Sequence, residues 1–420
     1  MNRFSLLPAL AAALLLASCG GTGEGGKMPW DDDLLNKPEA EAGYEVGEVL
    51  PAWQKGYLDI HAINSGRGEC VFYILPDGTT MVVDAGEVMA AGDGYIQREP
   101  DQGTRPYVTY ARYIKHFLPE GKKKVDYMYL THFHIDHMGE SNGSYPMGAN
   151  GYRPTGVSAL YDEMPFTTLL DRGYPSYGSD PTILKPESSA TDNYIAFVNY
   201  ATSKRGLKAE RIEVGSGDQV RLLNDNSYDC KVTNIIGNGY YLSPQRTVEH
   251  QAITGENPAS CGFHLRYGKF DYIACGDLTG APQNRMADYV TSCIGSLEGF
   301  KSNHHLSANS WGTSMQEKSF SPRVVLNESF SDYQPDKDVL AGILSGKFEK
   351  NTVIWTKDVF LTNAHANALK AYPDLFKECH YNGHVVIRVS PGGDQYSVYM
   401  LDDSNFLYKI KSIHGPFSCK

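Results

Sequence analysis

The sequence lacks several features that define whole classes of protein. None of its eight cysteines forms a Cys-x-x-Cys pair, which argues against a cysteine-ligated zinc site. No internal repeat is visible, and no low-complexity tract beyond the Gly-rich residues 20–26, which excludes repeat architectures. Basic residues are not in surplus either. The net charge of −11 argues against broad electrostatic binding of nucleic acid, although it leaves room for a local basic groove.

Long apolar runs are absent after residue 17. The one such run, residues 4–17, follows Arg3 and is too short to span a bilayer comfortably as a permanent helix. It ends in the sequence LASC (16–19), which resembles a bacterial lipobox and implies cleavage before Cys19 and lipidation of its thiol. An ordinary signal peptide with a chance cysteine is the alternative. We therefore expect residues 1–18 to be a signal peptide, and the protein to be lipid-anchored in the cell envelope, outside the cytoplasm, at the periplasmic face or the cell surface.

The rest of the chain has the composition of a globular protein. Apolar residues make up 41% and charged residues 21% of the 420 residues, enough for one large domain or two ordinary ones. We expect residues 19–54 to form a tether and surface segment, and residues 55–420 to form the folded domain. Seven cysteines remain when Cys19 is set aside. Export permits disulfides, and an odd number leaves at least one thiol unpaired.

Apolar segments separated by turn residues predict strands in both halves of the chain. The predicted strands are 57–64, 70–75, 79–86, 124–130, 231–236, two strands within 261–277, then 323–329, 351–356, 383–390 and, at the sheet edge, 395–401. Helical spacing marks 106–118 and 191–203, and a loop-rich insertion or lid is expected near 140–190. Strands clustered in both halves with helices between them predict an α/β (α+β) fold, with two sheets packed face to face and helices outside: a four-layer αββα sandwich.

One segment points directly to chemistry. The sequence THFHIDH (131–137) follows a predicted strand and contains four potential metal ligands. His132 and His134 are two residues apart, so an extended backbone points both side chains the same way. Asp136 and His137 lie on the turn beyond and can reach a second ion. Imidazole and carboxylate together suit zinc, iron or manganese. A chance polar loop is the alternative, but packing four ionisable groups together without a metal would be costly.

The segment THFHIDHMG (131–139) resembles the signature of the metallo-β-lactamase superfamily. Three further segments match that superfamily in the right order: VVDAG (82–86), ACGD (274–277) and KSNHHLSANS (301–310). The stretch 61–86 resembles one branch, the metallohydrolase domain of competence-type DNA-uptake proteins and related phosphodiesterases. The resemblance covers roughly residues 57–401 and is dense only near these motifs. A DNA-uptake protein would also need membrane-spanning segments, so we expect the hydrolase domain without the uptake role.

The resemblance implies a role for each matching residue. His132 and His134 would bind one metal, and Asp136 and His137 would bind a second together with His304 or His305. Asp277 would bridge the two ions, and Asp84 would support the metal loop from behind the ligands. The implied cofactors are two divalent ions, zinc first, with manganese or iron as alternatives. Asp136 and Asp277 are the implied catalytic residues, Asp136 also orienting the nucleophile.

The sequence departs from the superfamily pattern at two places. Members often have a further histidine for the first metal between the HxHxDH loop and the bridging aspartate. Only His250 and His264 lie in that span, and His264 is in the middle of a predicted strand. The branch's HHGS motif is here His304-His305-Leu306-Ser307, without the glycine. Which of the two histidines binds metal stays open.

The implied chemistry is hydrolysis. Two ions that share a water lower its pKa toward about 7, so a metal-bridging hydroxide would be the nucleophile. A phosphodiesterase or nuclease-like activity suits this site best. The alternatives are a lactone, ester or β-lactam hydrolase, and a non-catalytic surface-binding lipoprotein. The expected partners are a small-molecule or phosphodiester substrate, the membrane through the lipid anchor, and nucleic acid as a further candidate. The candidate general acids are His384 and whichever of His304 and His305 does not bind metal.

Three polar residues near these motifs have two interpretations each. Arg67, in the glycine turn SGRG, would face the substrate or form a surface ion pair. Ser307 and Asn309 would bind a substrate phosphate or cap a helix that begins near residue 311.

Overall fold

The apolar segments of the sequence become strands and helices in a computed structural model, which describes residues 43–90, 92–143, 145–186, 188–295, 297–310, 320, 322–344 and 358–420. The signal segment 1–18, Cys19, most of the tether and the predicted strand 351–356 lie outside the described residues and stay predictions. Residues 43–54 join the fold, since Leu50 is buried in its core and Val49 forms a β-bridge with Lys409.

The strands are β1 Leu58–Ala62, β2 Val71–Ile74, β3 Thr80–Val83, β4 Val125–Tyr129, β5 Phe166–Asp171, β6 Lys208–Arg211, β7 Cys230–Gly237, β8 Tyr240–Leu242, β9 Val248–His250, β10 Gly262–Tyr267, β11 Phe270–Ala274, β12 Leu297–Lys301, β13 Pro322–Asn327, β14 Asp358–Leu361, β15 Cys379–Tyr381, β16 His384–Val389, β17 Gln395–Leu401 and β18 Ile410–Ser418. The helices are α1 Pro106–Phe117, α2 Ile135–Met138, α3 Gly156–Glu163, α4 Ser189–Lys204, α5 Gly280–Cys293, α6 Lys337–Leu344, α7 Ala366–Ala371 and α8 Pro373–Phe376.

Within the described residues, these strands form two sheets of nine. The first has the order β18-β17-β16-β1-β2-β3-β4-β5-β6, and the second β15-β14-β13-β12-β11-β10-β7-β8-β9. Both sheets combine antiparallel hairpins with a run of parallel strands. The parallel runs are β3 to β6 in the first sheet and β11 to β15 in the second. The parallel strands of each sheet therefore deliver their following loops to one edge.

Side chains alternate between the two faces of each strand, and this alternation separates three cores. On β2, Phe72 and Ile74 pack with the outer helices α1, α3 and α4, whereas Tyr73 packs between the sheets. On β11, Tyr272 packs between the sheets, and Ile273 packs with α5 and α6 on the far side. Three cores between four layers confirm the predicted αββα sandwich.

Some details differ from the sequence-based expectation. We expected residues 395–401 to form a sheet edge, but β18 lies outside them and pairs with β17. Most residues of β18 are exposed or half-buried, so the sequence has no apolar run there that would predict a strand. The stretch 140–190, expected as an insertion, contributes α3 and β5 to the layers, with irregular segments on either side. No described helix combines the length and apolarity needed to cross a bilayer. The seven described cysteines are free thiols.

One close backbone contact joins β3 to the loop that follows β4. A Cβ atom on Gly86 would lie 1.7 Å from the backbone oxygen of Asp136, which leaves no room for a side chain. The neighbouring amides hold the same contact: Ala85 N–H donates to the carbonyl of His137 at 2.8 Å, and Glu87 N–H donates to that of Ile135 at 3.0 Å. The VVDAG segment can therefore pack against the HxHxDH loop in this way only if residue 86 is glycine.

We expect Gly86→Ala to push this loop away and lower the free energy of unfolding by about 1–3 kcal/mol, the usual cost of overpacking. Denaturant unfolding of the metal-free protein measures this change. Gly143→Ala is the matched control, because a Cβ there meets nothing within 4 Å. Equal stability of the two variants would show that the contact does not constrain the loop.

Candidate metal centre

The site is built around the carboxylate of Asp84, at the end of β3. Its Oδ1 accepts the backbone N–H of Thr131 at 2.8 Å, and its Oδ2 accepts the Thr131 hydroxyl at 2.8 Å. The same Oδ2 accepts Nδ1–H of His137 at 2.7 Å. Because Nδ1 donates this bond, Nε2 is the nitrogen of His137 that can bind a metal. Asp84 thus fixes both the start of the ligand loop and the orientation of one of its histidines.

Two groups of ligand atoms meet at the carboxyl ends of β4, β11 and β12. The buried group is Glu69, His137, Asp277 and His305, and the open group is His132, His134 and Asp277; within each, the ligand atoms lie within 4.8 Å of one another. In the open group, His132 Nε2 and His134 Nδ1 are 3.1 Å apart. The structure therefore brings the histidines of the HxHxDH loop to two different places around one aspartate.

Asp136 belongs with the buried group. Its Oδ2 is 3.1 Å from His305 Nε2 and 3.7 Å from His137 Nε2. His305 Nδ1–H donates to the backbone carbonyl of Glu328 at 2.7 Å, so its Nε2 is likewise the nitrogen that can bind a metal. Of the two adjacent histidines, His305 is thus the one that lies beside Asp136 and His137.

Asp277 divides its two oxygens between the groups. Oδ1 lies 3.1 Å from His137 Nε2 and 3.4 Å from His305 Nε2. Oδ2 lies 3.8 Å from His132 Nε2. Oδ1 is buried and finds no hydrogen-bond partner of proper geometry among the described residues. An orphaned carboxylate oxygen surrounded by imidazole nitrogens is what a cation site requires, so the donor set fits a pair of metal ions.

The charges around the buried group also favour a cation there. Burial works against charge on His137, yet the carboxylates of Asp277, Asp84 and Asp136 hold its pKa well above the usual value. Burial likewise opposes charge on His305, but Asp277 and Asp136 raise its pKa to about 10. Burial lowers the pKa of His132 well below its usual value, and the charge on His137 adds to this effect. Positive charge is therefore favoured in the buried group, where a cation could replace the imidazolium protons.

A buried ion pair lies behind His305. Lys301 Nζ and Glu69 Oε2 are 2.6 Å apart, and each side chain is 1% exposed. Glu69 Oε2 is also 3.7 Å from His305 Nδ1. Glu328 also lies in this cluster. Its Oε1 accepts the N–H of Cys70, the residue after Glu69, at 3.1 Å. This cluster was not predicted from the sequence. The only local indication of it was the acidic Glu69, shortly before the apolar strand β2.

A second buried ion pair supports the open group. Glu256 Oε1 accepts the backbone N–H of Phe133, between the two histidines of the open group, at 2.8 Å. Arg172 binds both oxygens of Glu256, through Nε at 2.8 Å and Nη2 at 2.5 Å. The Arg172 guanidinium also lies over the Phe133 ring, 4.6 Å from its centroid. Neither Arg172 nor Glu256 was identified from sequence, because they come from segments far from the motif.

Other residues singled out from sequence lie elsewhere. His384 is buried, accepts the N–H of Asn64 at 2.9 Å and packs against Tyr113; burial lowers its pKa to about 3. This position does not support its candidacy as a general acid. Arg67 is buried and has no ion-pair partner in the described part of the chain: its Nε donates to the carbonyl of Ile96 at 2.6 Å, and its Nη1 donates to that of Ala90. The surface ion pair considered for Arg67 is therefore wrong.

The loop after β12 has Leu306 where the related motif has glycine. His304, His305 and Leu306 all have left-handed backbones, with φ values of 46°, 53° and 57°. Asn309 Oδ1 lies 2.6 Å from His304 Nδ1, and Ser307 Oγ is buried. The helix expected near residue 311 lies outside the described residues.

The sequence matches no protein-family model and no curated protein. Several solved structures are similar to it. A variant of the β-hydroxylase CmlA is 10% identical, with a TM-score of 0.38, over 81% of this chain and 55% of CmlA. The short form of human tRNase Z is 11% identical, with a TM-score of 0.31, over 73% of this chain and 92% of that protein. Zn²⁺-bound PqqB from Methylobacterium extorquens is 12% identical, with a TM-score of 0.31, over 78% and 89%. The chain spans about half the length of CmlA. With identities of 10–12% and TM-scores of 0.31–0.38, none of these likenesses assigns a function to this chain.

We expect zinc binding at about pH 7.5 to release at least about one proton, since a metal binds only the neutral imidazole. The pKa of His305 is about 10, so its imidazole is protonated at this pH in the metal-free protein. The raised pKa of His137 acts in the same direction. Isothermal titration calorimetry in buffers of different ionisation enthalpy measures the number released. Asp277→Asn removes the carboxylate that raises both pKa values and should lower that number. Zinc binding without proton release would contradict the assignment of charge.

We expect Lys301→Met to destabilise the metal-free protein by about 3–5 kcal/mol, because it leaves the Glu69 carboxylate buried without its partner. The double variant Lys301→Met/Glu69→Gln should recover part of this loss. Denaturant unfolding gives both values. Lys269→Met is the matched control, since its ion pair with Asp394 has side chains 62% and 67% exposed. A loss no greater than that of the control would show that the buried pair is not needed for stability.

Proposed function

We propose that the protein is a metal-dependent hydrolase with a binuclear site, and that its substrates are phosphodiesters. The observation that supports this most strongly is the placement of Asp277. One of its carboxylate oxygens faces His137 and His305, and the other faces His132. A carboxylate shared in this way between two sets of histidines is suited to two ions and is not needed for one.

The ligands we assign follow from these contacts. One ion would be held by His132, His134 and Asp277, and the other by Asp136, His137, Asp277 and His305. Nitrogen and carboxylate donors suit zinc first, with manganese or iron as alternatives. Two such ions supply a water of lowered pKa and polarise the substrate's oxygens, and in a phosphodiester they can stabilise both the attacking and the leaving oxygen.

The chain's own contribution is orientation. Asp84 and the Glu328 carbonyl accept Nδ1–H of His137 and His305, and so fix the tautomer in which each Nε2 lone pair faces the site. Asp136 is the carboxylate placed to orient the nucleophile. The half-buried His134 and His304 mark the side of the site from which substrate would enter.

The substrate class rests on less specific support. The stretch 61–86 resembles the branch that includes phosphodiesterases, and the net charge of −11 favours small or already processed substrates over long duplex DNA. Lactone or ester hydrolysis is the second candidate, since the same ions would polarise a carbonyl.

We also propose that Cys19 anchors the protein in the cell envelope. Radiolabelled palmitate incorporation, compared between the wild type and Cys19→Ala, tests this proposal.

We expect the zinc- or manganese-loaded protein to hydrolyse bis-p-nitrophenyl phosphate. Asp136→Ala and Asp277→Ala should each lower the rate by at least about 100-fold, because loss of even an outer partner of a metal ligand costs about 10–100-fold. Asp374→Ala is the matched control, since this carboxylate is 87% exposed and pairs with Lys377; its rate should equal that of the wild type.

Each other result points to a different function. Two bound metals without phosphodiester turnover would refute the phosphodiesterase proposal and direct the search to lactones and esters. A protein that binds no metal and hydrolyses none of these compounds would instead be a binding lipoprotein.

A further inference from the structure

The open group is short of ligands. The buried group has Glu69, His137 and His305 besides Asp277, and Asp136 lies next to it, whereas the open group has only His132 and His134 besides Asp277 among the described residues. Histidines between the HxHxDH loop and Asp277 would be the obvious source of another nitrogen. Neither histidine in that span is suitably placed. His264 Nε2 is 2.6 Å from Asp271 Oδ1, and His250 lies exposed on β9 with its ring against Tyr240.

His304 lies beside Asp277, the carboxylate of the open group. Its Nε2 is 3.9 Å from Asp277 Oδ2, the same oxygen that lies 3.8 Å from His132 Nε2. A nitrogen or oxygen ligand binds zinc at about 2.0–2.2 Å, so atoms about 4 Å apart can share one ion. The left-handed backbone turns the two adjacent histidines apart: His305 Nε2 faces Oδ1 of Asp277, and His304 Nε2 faces Oδ2.

The hydrogen bonds of His304 put its lone pair on the correct atom. Nδ1 is 2.6 Å from the side-chain oxygen of Asn309, an acceptor, so Nδ1 carries the proton. Nε2 is therefore the nitrogen that can accept a hydrogen bond or bind a metal, and it lies 3.1 Å from Asn257 Nδ2. His137 and His305 show the same arrangement, each anchored through Nδ1–H with Nε2 free to bind. An ion at Nε2 would replace only one hydrogen bond from a neutral amide.

We propose that His304 is the third nitrogen ligand of the open site, so that the adjacent histidines His304 and His305 bind different metal ions. This inference rests on the proposed binuclear site and assigns a role to the residue that sequence alone left open. It explains how the open site is completed although His250 and His264 lie elsewhere.

Zinc stoichiometry and affinity, measured by competition with a chromophoric chelator, test the proposal. The wild type should bind two equivalents. His304→Asn, chosen because asparagine tolerates a left-handed backbone, should keep one equivalent and bind the second at least about 10–100-fold more weakly. His250→Asn is the matched control and should match the wild type. His304→Asn with two equivalents at wild-type affinity would overturn the proposal.

Double variants show which ion is affected. If His134 and His304 hold the same ion, His134→Ala/His304→Asn should lose no more than one equivalent. His305→Ala/His304→Asn should weaken both. Loss of both equivalents in the first double variant, with one lost in each single variant, would place the two histidines on different ions and refute the assignment.

A misfolded variant would also lose zinc, so the test also needs a variant that gains a spectroscopic signal when it binds metal. His304→Cys loaded with Co²⁺ should show a thiolate-to-cobalt charge-transfer band, which His250→Cys should lack. Absence of the band from a protein that still binds two cobalt ions overturns the proposal. Phosphodiester hydrolysis is measured separately: if it fails while these metal-binding results hold, the proposed substrate is wrong and the assignment of His304 stands.

Discussion

The carboxylate of Asp84 is the constraint on which the site depends. It accepts three hydrogen bonds, two from Thr131 and one from His137, and thereby ties the end of β3 to the loop after β4. Asp84 itself has a φ of 59°, a left-handed backbone that L-residues adopt at a cost. A buried carboxylate is stable only when its oxygens are satisfied, so Asp84 and the ligand loop require one another. The positions of His132, His134 and His137 relative to the first sheet follow from this one group.

The second sheet is joined to the first by a comparable set of buried charges. Lys301 ends β12 in the second sheet, whereas Glu69 precedes β2 in the first, and their ion pair crosses between the sheets beside His305. Glu328, after β13, accepts the N–H of Cys70 in the first sheet. Apolar packing between the sheets is non-directional and would tolerate small shifts. Directional polar contacts at the carboxyl ends of the strands fix the distance between Asp136 on one sheet and His305 on the other.

The fold class could be predicted from sequence because it depends on patterns that local sequence shows: apolar strands in both halves with helices between them. The HxHxDH loop could be predicted because four potential ligands directly follow an apolar strand, whereas Asp84 and Asp277 were predicted through the resemblance of their segments to the metallo-β-lactamase superfamily. Glu69 could not, since its partner Lys301 is 232 residues away and no local pattern links them. Strand β6 was not predicted because its residues alternate between exposed and half-buried, so the sequence has no apolar run there.

The loop that contains His304 and His305 shows that a sequence motif predicts which residues form a site better than it predicts where their side chains point. Three successive left-handed residues cost about 1–2 kcal/mol each relative to a right-handed backbone, and glycine would avoid part of this cost. Leu306 stands where the related motif has glycine, and its side chain is fully buried in the core beneath α5 and α6. Burying a leucine contributes about 1.5–3 kcal/mol, which offsets the backbone cost at that position. The backbone turn that separates His304 from His305 is thus maintained by packing, which the motif alone could not reveal.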